Sequence, residues 1–286
     1  MEVLEEWMQS KSGVSEDSED AYIVTPHYAC VVDGATSCTG RKWTTHNLTG
    51  GQWASRVLTN AIHTMLPNQT PAEIVTQLTQ TLADAYKQEG VLEFMKQHAE
   101  ERATASLVLY VKASQEILML GDCQAAFILN DGEIDKYQPT KYIDTVTSQA
   151  RALYLESELL VSARNSISSL QKNDTGRDYI RTLLARQRLF QNNADAPLLY
   201  RYWVLDGFPI NLNEGMLVHS VPSNAKEVIL ATDGYPDIFK TLQETEAHWN
   251  TIINQDPLMT RQYPSTKGVQ PGAESFDDRT YLRIAL

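Results

Sequence analysis

Residues 3–10 and 20–32 read as strands, the second carrying the apolar run of Cys30, Val31 and Val32. The period then changes. In "GGQWASRVLTNAIHTML" Trp53, Val57, Ala61 and Met65 recur at helical spacing, with Leu58 and Ile62 beside them. "TPAEIVTQLTQTLADAYKQ" predicts a second helix with Thr70 as N-cap, Pro71 at the first helical position and Glu73 closing a capping box. Its apolar face is Ile74, Leu78, Leu82 and Ala85. Strand patterns return in "ASLVLYVK", "EILMLGD" and "AAFILNDGEI", where Asn130-Asp131-Gly132 signals a hairpin turn. Residues 145–192 read as helical with a polar break at "KNDTG", and 193–222 as irregular. A strand over 226–232, a helix in "PDIFKTLQETEAHWNTIINQ" and a final strand in "RTYLRIAL" close the chain.

This order does not alternate strand and helix, so a doubly wound parallel sheet is disfavoured. Helices covering antiparallel sheets, an α+β design, fit better. There is no internal repeat, low-complexity tract or clear linker.

Composition narrows the function. The 286 residues are 42% hydrophobic, ample for a core. They carry 24 Lys+Arg against 36 Asp+Glu, a net charge of −12, which argues against a nucleic-acid groove. Cys30, Cys38 and Cys123 lack CxxC spacing, so a disulfide framework or thiolate zinc site is not expected, and a reducing compartment fits. The acidic start "MEVLEEWMQS" does not read as a signal peptide, and no apolar run approaches about 18 residues. The expectation is a cytoplasmic protein without a membrane span.

The candidate chemistry lies at strand ends. "YACVVDGATS" runs into Asp33-Gly34, "VILATDGYPDIF" into Asp233-Gly234, and "EILMLGD" into Gly121-Asp122. A single Asp-Gly is most often a turn, and Asn130-Asp131-Gly132 is read as one. Two further acidic clusters, "SEDSEDAY" and "FDDRT", precede strands. Carboxylates buried together raise one another's pKa or repel. Divalent cations remedy this, and an all-oxygen set selects hard ions such as Mg²⁺ or Mn²⁺.

"SEDAY", "VVDGATS", "RATASLVLY", "LGDCQAAF", "ILATDGYPDIF" and "DDRTYLRI" occur in the order of the motifs of 2C-type metal-dependent protein phosphatases, which the chain resembles from about residue 11 to its end, thinly over 135–225. The resemblance implies an α-β-β-α sandwich of two antiparallel sheets flanked by helices. It also implies one phosphatase domain over residues 1–286 with a helical insertion at about 140–195. Asp33 then resembles the carboxylate bridging two ions, Gly34 a carbonyl ligand to one, and Asp233 and Asp277 ligands of the other. Glu19 and Asp20 resemble the pair that holds metal-bound waters. Asp122 matches a ligand of a third, weaker ion in bacterial members, and Thr104-Ala105 a structural step. The implied reaction is hydrolysis of phosphoserine or phosphothreonine in proteins by a hydroxide bridging two Mg²⁺ or Mn²⁺ ions, with Asp33 and Asp233 as the central residues. A cognate Ser/Thr kinase is the candidate partner. No cysteine begins a C-x₅-R loop: the sixth residues on are Thr36, Thr44 and Leu129.

The chain departs from the family pattern in three places. The phosphate-binding Arg of many eukaryotic members is replaced by Ser15, for which Lys11, Arg41 and Lys42 are the candidate substitutes. Ala35 stands where some members have a His; His46 and His63 are available, but no general acid is assigned. "SCTGRKWTTHNLTGG" is longer than the usual Gly-Gly step. Two alternatives stay open: a catalytically weak regulatory domain that binds partners, and a phosphatase of a small phosphorylated metabolite.

Overall fold

The computed structural model describes residues 1–37, 39–43, 47–161 and 166–286. Among these residues ten strands form two antiparallel sheets of five. The first holds β1 (Val3–Gln9), β6 (Gln124–Leu129), β7 (Ile134–Tyr137), β9 (Ala225–Ala231) and β10 (Arg279–Ala285), in the order β1-β10-β9-β6-β7. The second holds β2 (Ala21–Val24), β3 (Tyr28–Gly34), β4 (Ala105–Val111), β5 (Glu116–Leu120) and β8 (Met216–Ser220), in that order.

The sheets pack face to face because their central strands are apolar on both sides. Ala29 and Val31 of β3, Val108 and Tyr110 of β4, Phe127 of β6, Val228 and Leu230 of β9 and Leu282 of β10 form the inter-sheet core. The alternate residues face outward. Cys30, Val32, Leu107 and Leu109 bury α1 (Gly50–Thr64) and α2 (Pro71–Gln88) through Leu58, Ile62, Ile74 and Leu78. Ile229, Ala231 and Tyr281 bury α8 (Leu242–Gln255) through Trp249 and Ile252. The result is an α-β-β-α sandwich.

The helix starts follow their chemistry. Thr70 caps α2 and exchanges hydrogen bonds with Glu73, as the sequence predicts. Thr49 and Gln52 form the same box at α1. The last helix starts later than its pattern suggests, at Leu242, because Thr241 and Glu244 form a third box. The expected strand over 20–32 is two strands. Pro26 has no amide hydrogen to donate, and Thr25 Oγ1 accepts from the amides of His27 (3.2 Å) and Tyr28 (2.9 Å), which turns the chain. The short helix α3 (Leu92–Gln97) has no counterpart in the sequence reading. Residues 193–222 contain α7 (Leu212–Gly215) and strand β8.

The helical stretch after β7 comprises α4 (Tyr142–Val161), α5 (Ile167–Lys172) and α6 (Thr175–Gln187). Its break falls at Asp174, which caps α6 by accepting from the Arg177 amide at 2.8 Å. Arg151 of α4 is fully buried. Its guanidinium donates to Asp174 (2.7 Å from Nη2) and to the carbonyls of Leu258 and Ser265, each at 2.9 Å from Nη1. One side chain thus ties two helices to the loop that follows α8. Removing one partner of a buried ion pair costs about 3–5 kcal/mol. Arg151→Ala should lower unfolding free energy by that amount in urea titrations, whereas Arg181→Ala, which removes an exposed pair with Asp178 on α6, should leave the midpoint unchanged. Equal effects would remove the clamp from the account.

Candidate metal centre

The strand-end carboxylates gather at one edge of the sandwich. Thr232 and Thr280 lie side by side where β9 and β10 end: the Thr232 amide donates to the Thr280 carbonyl at 3.1 Å. This brings Asp233 next to Asp277 and Asp278. Gly234 is required there, since a Cβ at that position would collide with the Asp278 carbonyl oxygen. Asp33 is the last residue but one of β3, and Asp122 lies where the chain crosses from β5 to β6. Among the described residues, Asp33, Asp122 and Asp233 each offer a carboxylate oxygen, and these oxygens lie within 4.8 Å of one another. Gly34 packs against the first turn of α1: its carbonyl oxygen would lie 2.6 Å from a Cβ placed on Gly51.

The other predicted residues surround this trio without joining it. Asp277 Oδ1 accepts from Lys267 Nζ at 2.6 Å and has Lys11 Nζ at 3.8 Å. Glu19 accepts from Thr49 Oγ1 (2.5 Å), Thr36 Oγ1 (2.7 Å) and Lys11 Nζ (3.2 Å). Asp20 accepts from Thr232 Oγ1 (2.8 Å) and Thr280 Oγ1 (2.9 Å). Asp278 accepts from the amides of Lys11 and Glu19, both at 2.8 Å. Within the trio, Asp122 accepts from Ser106 Oγ at 2.7 Å, and Lys141 Nζ reaches it at 2.7 Å.

Electrostatics sets Asp33 and Asp233 apart from Asp277. Loss of hydration raises the Asp33 pKa well above the usual carboxylate range, and the charges of Asp20, Asp122 and Asp277 add to it. Asp233 is raised by loss of hydration within the cleft and by Asp122, Asp33 and Asp277, even though it is exposed to solvent. For Asp277 burial acts upward, but Lys267 and then Lys11 outweigh it and hold the pKa down. Asp33 and Asp233 therefore lack enough positive charge, and with Asp122 within 4.8 Å of them these oxygen-only donors fit a hard divalent cation.

The trio opens into a cavity of about 460 Å³. Its walls include Lys141, Asp144 and Ser148 at the start of α4, Arg177 and Gln187 of α6, and residues 262–267. The sequence reading missed Lys141, Arg177 and Lys267, which stand in no motif. The candidates offered in place of an Arg at Ser15 are not in this cavity. Lys11 is held by Glu19 and Asp278, Arg41 pairs with Glu101 at 2.9 Å, and Lys42 and Ser15 do not line it. His63 is exposed on α1; His46 and Cys38 lie outside the described residues. Cys30 is buried in the sheet–helix core. Thr104 is buried and accepts from Arg188 Nη1 at 2.9 Å.

The sequence profile of the family described as Protein phosphatase 2C matches residues 13–262, and the chain belongs to this family. No curated protein matches the chain. Among solved structures it is similar to the serine/threonine phosphatase PstP/Ppp of Mycobacterium tuberculosis, at 15% identity over 99% of both chains and a TM-score of 0.46. It is also similar to the serine/threonine phosphatase Stp1 of Staphylococcus aureus, at 13% identity over 100% of this chain and 96% of that one, TM-score 0.46. A third is the catalytic domain of PstP in complex with two manganese ions, at 12% identity over 100% of both chains, TM-score 0.47. Among the described residues no helix is long and apolar enough to cross a membrane.

The raised carboxyls have a measurable consequence. The folded, metal-free protein keeps protons on Asp33, Asp233 and Asp20 at pH values where the unfolded chain has released them. Folding then binds protons, so these groups make stability fall as pH rises from the usual carboxyl range, about pH 4, toward neutral. Asp277, whose pKa is lowered, acts in the opposite sense only at the acid end. In EDTA the melting temperature should decline over this range, and Asp33→Asn should flatten the decline. A slope identical in the variant would show that the cluster does not hold these protons.

Proposed function

We propose that the chain is a metal-dependent phosphatase that hydrolyses phosphoserine and phosphothreonine in proteins. The observation that carries this reading is the convergence of Asp33, Asp122 and Asp233 within 4.8 Å at the floor of the cavity. Asp33 and Asp233 are the central ligands, supported by Asp122, the Gly34 carbonyl and Asp277. Two Mg²⁺ or Mn²⁺ ions held there would acidify a water and neutralise the phosphoryl oxygens; Asp122 is the candidate ligand for a third.

The protein's own residues do the rest. Glu19, Asp20 and Asp278 each accept from protein donors and hold the strand ends in register, and Glu19 and Asp20 would be the pair to hold water bound by such ions. Helices α4 and α6 wall one side of the cleft. Residues 1–286 form one phosphatase domain in which the helices at about 140–195 are the inserted wall. Cytoplasmic location and a cognate Ser/Thr kinase belong to the same reading. A second reading, a small phosphorylated metabolite as substrate, is supported by the cavity of about 460 Å³ that α4, α6 and residues 262–267 line around the acids.

Turnover of a phosphopeptide and of p-nitrophenyl phosphate separates the possibilities. With Mn²⁺ or Mg²⁺ both should be hydrolysed, and EDTA should abolish both. Hydrolysis of small esters alone would favour the metabolite reading. Absence of any turnover, with Mn²⁺ bound, would favour a regulatory domain. Full activity in chelator would end the metal-dependent reading.

A further inference from the structure

Among the described residues, four cations line the cavity besides its carboxylates: Lys141, Arg177, Arg188 and Lys267. Three have partners that do not depend on the metal centre. Arg177 Nη1 donates to the Thr266 carbonyl at 2.7 Å. Arg188 Nη1 donates to Thr104 Oγ1 at 2.9 Å and Gln191 Oε1 at 2.8 Å. Lys141 Nζ lies between Asp122 (2.7 Å) and Asp144 (3.6 Å), so it keeps a carboxylate when Asp122 is otherwise engaged. Lys267 is different. Among the described residues the one carboxylate that its Nζ meets is Asp277, at 2.6 Å.

The backbone beneath Lys267 is fixed. Arg151 holds the carbonyls of Leu258 and Ser265, and Arg177 holds that of Thr266. Gly268 fits against the Arg151 guanidinium, with 2.9 Å between Nη2 and the position of a Cβ on that glycine. A half-buried ammonium is therefore presented into the cavity from a rigid support, next to a carboxylate that the proposed function assigns to a divalent ion.

On that assignment of Asp277, we infer that Lys267 is the residue that binds the phosphoryl group of the substrate. When a cation takes Asp277, the ammonium loses its partner and is repelled by the ion. The acceptors a substrate then brings into the cavity are its phosphoryl oxygens. The same side chain competes with the metal before loading and holds the anion after it. Ser15 offers no charge for this purpose, and Lys11 is retained by Glu19 and Asp278.

The two roles predict effects of opposite sign. Lys267→Met keeps the length of the side chain and removes its charge. By calorimetry it should bind Mn²⁺ more tightly than the wild type, because Asp277 has lost a competitor. The Mn²⁺-loaded variant should bind inorganic phosphate roughly tenfold to a hundredfold more weakly, the range for one charge-assisted hydrogen bond. KM for p-nitrophenyl phosphate should rise by a similar factor, and Lys267→Arg should recover part of the phosphate affinity. Unchanged phosphate affinity in a Lys267→Met protein that still binds Mn²⁺ would overturn this inference alone. Weaker Mn²⁺ binding in that variant would likewise overturn it, since Lys267 would then support the site and not compete for it. A wild-type protein that binds no Mn²⁺ would overturn the functional reading and this inference together.

Discussion

Three carboxylates held within 4.8 Å of one another repel, and most of the local structure answers that repulsion. Two unit charges at this separation in a partly hydrated site oppose each other by roughly 3 kcal/mol, more than one hydrogen bond contributes. The surrounding acids are treated differently. Asp278 receives two backbone amides, Asp20 two threonine hydroxyls, and Glu19 two hydroxyls and an ammonium. The trio receives less: Asp122 has Ser106 and Lys141, and Lys141 is also the charge that opposes the upward shifts of Asp33 and Asp233. Acids that are already satisfied position the chain, and acids left with unbalanced charge are those able to hold a cation.

Backbone proximity is the second half of the same arrangement. Gly34 against Gly51 lets β3 approach the start of α1 more closely than any side chain allows. Gly234 against the Asp278 carbonyl does the same for the ends of β9 and β10. Gly121, at φ +88°, lies where a Cβ would strike Ser106, the residue that donates to Asp122. Glycine after or before each acid is thus a condition for the carboxylates to converge, beyond its role in turning the chain.

The layers were legible because the strand runs are apolar on both faces and the α1 and α2 helices are strongly amphipathic. Cys30 and Val32 face helices while Ala29 and Val31 face the other sheet, so a continuous apolar run and a central strand are the same fact. The split at Pro26 and the late start of α8 were written in local chemistry, a proline without an amide hydrogen and a Thr241–Glu244 box, that the broader periodicity overrode. The acids at the strand ends were legible as a set, but which of them meets a lysine was not. That depends on Lys141 and Lys267, which stand in no motif and whose pairing with Asp122 and Asp277 follows no helix or strand period.

The centre also depends on the packing of the two sheets. Asp33 is the last residue but one of a strand of one sheet, whereas Asp233 and Asp277 flank strands of the other, and Asp122 sits on the crossover between them. The separation between these oxygens is therefore set by the thickness of the layer that contains Val31, Val108, Phe127 and Leu230. A packed core resists changes of even one methylene. That stiffness keeps mutually repelling carboxylates from spreading apart, so the hydrophobic layer supplies what the polar cluster cannot supply for itself. The helical wall is joined to this frame through Arg151, which fixes the loop carrying Lys267. The floor of the cavity and its cationic arm thus rest on separate structural elements, each held by burial remote from the charges it presents.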